Sequence, residues 1–149
     1  MRILIDADAC PVVDLTVKIA KTYNLDCIIL CDTSHYIEKN GATTITISKG
    51  ADAVDFALVN MVKPGDIVIT QDYGLAAMCL AREAVPINQD GMIYSNDNIG
   101  GLLEQREMAR KVRASGGRLK GPSKRTQEQN EKFMRELMNL IDKILSQFD

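Results

Sequence analysis

The chain predicts an α/β fold: a single-domain, three-layer sandwich around a mainly parallel central sheet, with a C-terminal helix following a basic linker. Two observations carry this. Short, continuously apolar runs such as "CIILC" and "DIVIT" alternate with longer segments of helical periodicity. Strands of that kind are buried on both faces, which parallel sheets achieve by covering each face with helices. The 149 residues also suffice for one domain with a substantial hydrophobic core. We expect the core over about 1–112, the linker over about 113–125 and the last helix over about 126–147.

The elements follow in order. "RILID" is a strand ending on Asp6, and "PVVDLTVKIAKTYN" a helix with Pro11 suited to its first turn. "CIILC" is a second buried strand, followed by the polar loop "DTSHYIEKNG"; "TITI" alternates weakly and is a short strand. "ADAVDFALVNMV" is helical, with Val54, Ala57, Leu58 and Met61 on one stripe. "KPG" breaks the chain before the strand "DIVIT", and "YGLAAMCLAREA" and "VPIN" give a further helix and short strand. "GMIY" is a hairpin partner or a loop. Asp97 or Asn98 caps a helix running to roughly Val112, and "ASGGRLKGPSKR" has linker composition. "TQEQ" at Thr126 matches a capping box opening the last helix, whose apolar stripe is Phe133, Leu137, Leu140, Ile141, Ile144 and Phe148.

An apolar fraction of 46% and a charged fraction of 26% are those of an ordinary soluble protein. No run has the length of a membrane helix, and "ILI" is too short for the apolar region of a secretory signal. The expectation is a cytoplasmic protein without membrane attachment. Cys27 and Cys31 flank one strand, roughly 13 Å apart along it, too far for a shared zinc or a disulfide. With Cys10 and Cys79 they read as reduced thiols packed as small hydrophobes.

The carboxylates are the informative residues. Asp6 and Asp8 sit at the end of the first strand and share a side if the strand persists. Asp72 repeats the arrangement after "VIT", and Asp52 and Asp55 open a helix at i, i+3 spacing. In parallel α/β sheets, ligands bind outside the carboxyl ends of the strands. Like charges gather cheaply there only around a cation. The competing reading is that Asp52, Asp55 or Asp8 is simply a first-turn residue favoured by its helix dipole. Hard oxygen ligands without a neighbouring histidine point to Mg²⁺ or Mn²⁺, with Asp6, Asp8 and Asp72 as metal ligands. The chemistry implied is phosphoryl transfer or phosphodiester hydrolysis. No P-loop or dinucleotide fingerprint accompanies it. His35, the only histidine, falls in the loop after the second strand, either at the same edge or simply solvated.

Charge is lopsided. From Arg106 to Arg125 there are eight Lys or Arg against the single Glu107. Arg110, Arg113, Arg118, Lys120, Lys124 and Arg125 are therefore candidates to track a phosphate backbone, or a solvated linker that stays soluble through its charge. No aromatic residue lies among them to stack on bases.

These residues lie in blocks that resemble the YaiI/YqxD family of uncharacterised bacterial proteins over nearly the whole chain: "DADACP", "GADAVD", "ITQDYGLA" and "RASGGRLKGP". "RTQEQNEKF" resembles the family's C-terminal block, with Gln129 where an acid is expected. The family is grouped with PIN-like and NYN-like nuclease folds. That resemblance implies metal-dependent RNA cleavage, with Asp6, Asp52, Asp55 and Asp72 matching a PIN-type acidic set and Asp8 an addition. Two alternatives stand beside a divalent-metal ribonuclease. One is a phosphatase forming an aspartyl-phosphate on Asp6, although Ala9 and Cys10 stand where a Ser or Thr is usual. The other is a non-catalytic RNA-binding module.

Overall fold

The computed structural model describes residues 1–48, 52–117 and 123–147. Arg118, Lys120 and Phe148, singled out above, lie outside the described residues. The strands are β1 (Arg2–Asp6), β2 (Asp26–Asp32), β3 (Thr43–Ile47), β4 (Ile67–Ile69) and β5 (Val85–Ile87). The helices are α1 (Val13–Thr22), α2 (Ala53–Met61), α3 (Tyr73–Ala81), α4 (Ile99–Ala114) and α5 (Gln127–Ser146). All five strands pair in parallel, in the order β3-β2-β1-β4-β5.

The side-chain period of two divides β1 between two cores. Ile3 and Ile5 join the cluster containing Val13 and Val17 of α1 and Phe133, Leu137 and Ile141 of α5. Leu4 joins Leu30, Val68, Leu58 of α2 and Leu75 of α3. One face of the sheet is thus covered by α1 and α5, the other by α2 and α3. This is the three-layer arrangement that the apolar strands predict. The four cysteines are free thiols, three of them buried.

The boundaries differ from the sequence reading in instructive places. β1 stops at Asp6, and the chain turns through Ala9, at φ 56°, with the Cys10 N–H donating to the Ala7 carbonyl at 3.1 Å. Pro11 belongs to this turn, so α1 begins at Val13. α3 ends at Ala81, because Glu83 is left-handed at φ 63° and redirects the chain into β5. "GMIY" is a hairpin partner: Ile93 bridges Ile87 antiparallel, and the Asn88 N–H donates to the Met92 carbonyl at 2.9 Å. α4 runs to Ala114 and takes Arg113 out of the supposed linker into its last turn, where a cation suits the helix dipole. The capping box at α5 is present, with Gln129 Oε1 accepting the Thr126 N–H at 2.8 Å. The amide does there what an acid would do.

Candidate active site

Strand order locates a crevice before any side chain is considered. From β1 the chain proceeds outward through β2 to β3, then crosses back to the other side of β1 for β4 and β5. The carboxyl ends of β1 and β4 therefore flank the topological switch point, where open α/β sheets bind ligands. Asp6 is the last residue of β1, and Thr70 and Asp72 follow β4. A cleft of about 600 Å³ opens there, lined by Asp6, Asp8, Asp32, Asp52, Asp55 and Asp72.

Thr70 joins the two strand ends. Its hydroxyl donates to Asp6 Oδ2 at 2.9 Å, and its Oγ accepts the Asp72 N–H at 3.0 Å. Its carbonyl accepts the Tyr94 hydroxyl at 3.1 Å, which fixes the loop from beneath. Asp72 caps α3, its Oδ1 accepting from the Gly74 N–H at 2.8 Å and the Leu75 N–H at 3.1 Å. Capping is thus one role of Asp72, and it also orients the carboxylate at the cleft. Asp6 has no helix to cap, so that explanation does not reach it.

Electrostatics bind the acids into one group. Burial pushes the Asp6 carboxyl up to about 6; the Thr70 hydrogen bond works against this, while the charges of Asp72 and Asp8 add to it. Asp55 is also raised to about 6, by burial first, then by Asp72, Asp6 and Asp52, and by hydrogen bonding with the Asp72 side chain. Asp6, Asp55 and Asp72 form the centre. Asp8 lies in the turn beyond β1 with its side chain 62% exposed, and so stands at the lip. Asp52 precedes α2 in the left-handed region at φ 62°, without making a side-chain cap. It and Ala9 are both non-glycine residues with positive φ on the cleft wall, a form of strain that concentrates at functional sites. Among the described residues, no three His, Cys, Asp or Glu side chains come together as a group that could hold a metal ion.

Sequence reasoning missed four lining or supporting residues. Asp32 ends β2 as Asp6 ends β1, a signal available in the sequence had the strand been extended by one residue. It holds His35, whose Nδ1 lies 3.0 Å from Asp32 Oδ1 and 3.8 Å from Asp8. Thr70 acts only through its neighbours, and Gln71 donates to the Ala9 carbonyl at 2.9 Å across the cleft mouth. Arg106 of α4 reaches to 3.5 Å from Asp72 Oδ1.

The basic candidates do not share one fate. Arg110 pairs with Glu107 on the exposed side of α4 at 2.6 Å, and Arg113 and Lys124 are exposed. Arg125 is engaged within the fold: its guanidinium donates to Asp90 at 2.8 Å, to Asn130 at 2.6 Å and to the Gln89 carbonyl. It fastens the start of α5 to the β5 turn.

A family profile described as uncharacterized BCR, YaiI/YqxD family, matches residues 4–143. The chain is 50% identical over 141 residues to a UPF0178 protein of Exiguobacterium sibiricum, covering 95% of this chain and 96% of that one. A UPF0178 protein of Ruminiclostridium cellulolyticum is 48% identical, covering 95% and 92%. One of Clostridium acetobutylicum is 46% identical over 143 residues, covering 95% and 97%. No solved structure matches the chain.

Proposed function

Because the chain belongs to the YaiI/YqxD family, whose description names no activity, we propose its function from the cleft itself: divalent-metal-dependent hydrolysis of phosphodiester bonds, with RNA as the substrate. The observation that carries this reading is the group of Asp6, Asp55 and Asp72 at the switch point, with two carboxyls raised to about 6. A fold tolerates such crowding where a cation offsets it.

The donors fit Mg²⁺ or Mn²⁺. They are carboxylate oxygens throughout, and the one imidazole stands outside at the lip, paired with Asp32. Magnesium characteristically keeps water and phosphate oxygens beside one or two carboxylates, so an open arrangement suits it. Asp6 and Asp72 would hold the ion, and Asp8 at the lip would act as a secondary ligand or orient the attacking water. The ion would supply a water of lowered pKa and neutralise charge on the phosphate.

The chain's own groups do the rest. Thr70 holds one Asp6 oxygen, Oδ2, and Oδ1 would serve as the ligand atom. The α3 cap fixes Asp72 in the same way. Asp55, hydrogen-bonded with the Asp72 side chain, would orient the attacking water or accept its proton. The aspartyl-phosphate alternative lacks a Ser or Thr at Ala9 or Cys10; the hydroxyl beside Asp6 is that of Thr70, from the end of β4.

The test incubates the protein with mixed-sequence RNA 12-mers in Mn²⁺ or in EDTA. Cleavage in Mn²⁺, abolished by EDTA and reduced at least about 100-fold by Asp6→Asn, is the expected result. Binding without turnover in both conditions would favour a non-catalytic module.

A further inference from the structure

Arg106 stands apart from every other cleft residue. The cleft is lined by six aspartates and, among the described residues, by this one cationic side chain. Its placement is not explained by stability. The side chain is 59% exposed and meets Asp72 only at 3.5 Å, a long surface pair of the kind that contributes little. It lies against the first turn of α3, where a Cβ added to Gly74 would fall 3.3 Å from its Nη1. A cation beside a helix N-terminus opposes the dipole, whereas an anion at the same place is favoured by it.

The helix that carries Arg106 is equally unusual. α4 has 16 residues and not one is buried, so its composition is not dictated by a core. Arg106, Arg110 and Arg113 follow at i, i+4 and i+7, one face of a helix. At 1.5 Å per residue they are spaced about 6 and about 10 Å from the cleft residue. The row begins at the acids and leads away from them.

We infer that Arg106 is the phosphate-receiving arm of the cleft, leaning on Asp72 until a phosphodiester takes its place, and that α4 guides the flanking strand outward through Arg113, Arg110 between them being paired with Glu107. The inference rests on the proposed phosphodiesterase reading and narrows its substrate to a polynucleotide longer than the reacting linkage. A guanidinium can make two parallel hydrogen bonds to phosphate oxygens, which an ammonium cannot. Arg106 therefore touches the phosphate at the reacting centre, while Arg113 touches one farther along the chain.

The experiment measures fluorescence anisotropy of labelled RNA of two lengths, a trimer and a 12-mer, in Ca²⁺ across a salt series. Variants are Arg106→Ala, Arg106→Lys and Arg113→Ala, with Arg135→Ala on the exposed side of α5 as control. Arg106→Ala should weaken both lengths about tenfold and shallow the log–log salt slope by about one. Arg106→Lys should keep the slope and recover only part of the affinity. Arg113→Ala should weaken the 12-mer and leave the trimer unchanged, and Arg135→Ala should match wild type. Circular dichroism confirms that each variant is folded. A wild type that binds RNA or cleaves it in Mn²⁺ yet is indifferent to Arg106→Ala overturns the Arg106 assignment alone. A wild type that neither binds RNA nor cleaves it overturns this inference together with the phosphodiesterase reading.

Discussion

Asp6 is the residue on which the account turns, and its energetics are testable without any substrate. Its carboxyl is raised from 3.8 to about 6, so the folded state binds the proton more tightly than the unfolded one. Stability from this group is full below its unfolded pKa and is lost as pH rises from 3.8 through about 6. Above that the cost is constant, at most about 3 kcal/mol. Asparagine keeps the shape and can still accept from Thr70, but never carries the charge. In EDTA at pH 7, Asp6→Asn should therefore melt above wild type, by a margin equivalent to about 1–3 kcal/mol. The margin should vanish by about pH 4, as differential scanning calorimetry over a pH series would show. A purely structural carboxylate predicts the reverse, a variant less stable at pH 7. The aspartate itself was legible in the sequence, because a strand ending in an acid is visible as a run of letters. Thr70 was not: its importance lies in a hydrogen bond across 64 positions of chain, and nothing local announces that.

At the scale of elements, the two ends of the basic segment separate by what they touch. Arg125 ties the entry of α5 to Asp90 and the Gln89 carbonyl, while its neighbour Lys124 is exposed. Arg125→Ala should cost about 1–3 kcal/mol and Lys124→Ala close to nothing, by urea denaturation. Thr126→Ala, which removes the hydroxyl accepting from the Gln129 N–H at 3.3 Å, should cost about 1 kcal/mol. Equal effects at Arg125 and Lys124 would mean that the latch is not formed in solution. The capping box was readable because its chemistry lies within four residues. The role of Arg125 was not, since composition cannot distinguish a charge facing solvent from one paired with a residue 35 positions away. The end of α4 was misplaced for a related reason: "RKVRA" is as good a helix as a linker, and it lacks a breaker until Gly116.

For the molecule as a whole, strand and helix alternation gave the three layers, because burial on two faces writes itself into each strand's composition. Strand order was not written there. That β4 returns to the far side of β1 depends on how helices pack over the sheet, and it is this crossing that brings Asp72 beside Asp6. The candidate site was thus legible as a set of residues at the carboxyl edge of the sheet, but not as neighbours in one cleft. It also follows that the acids belong to one cleft only in the folded chain, where the proposed cation would be shared between them. Isothermal titration of Mn²⁺ into wild type, Asp6→Asn, Asp72→Asn and the surface variant Asp14→Asn measures this most directly. Wild type and Asp14→Asn should bind Mn²⁺ saturably, and Asp6→Asn and Asp72→Asn at least about tenfold more weakly. A wild type that takes up no Mn²⁺, or binding unchanged by both cleft substitutions, would contradict the proposed cation site.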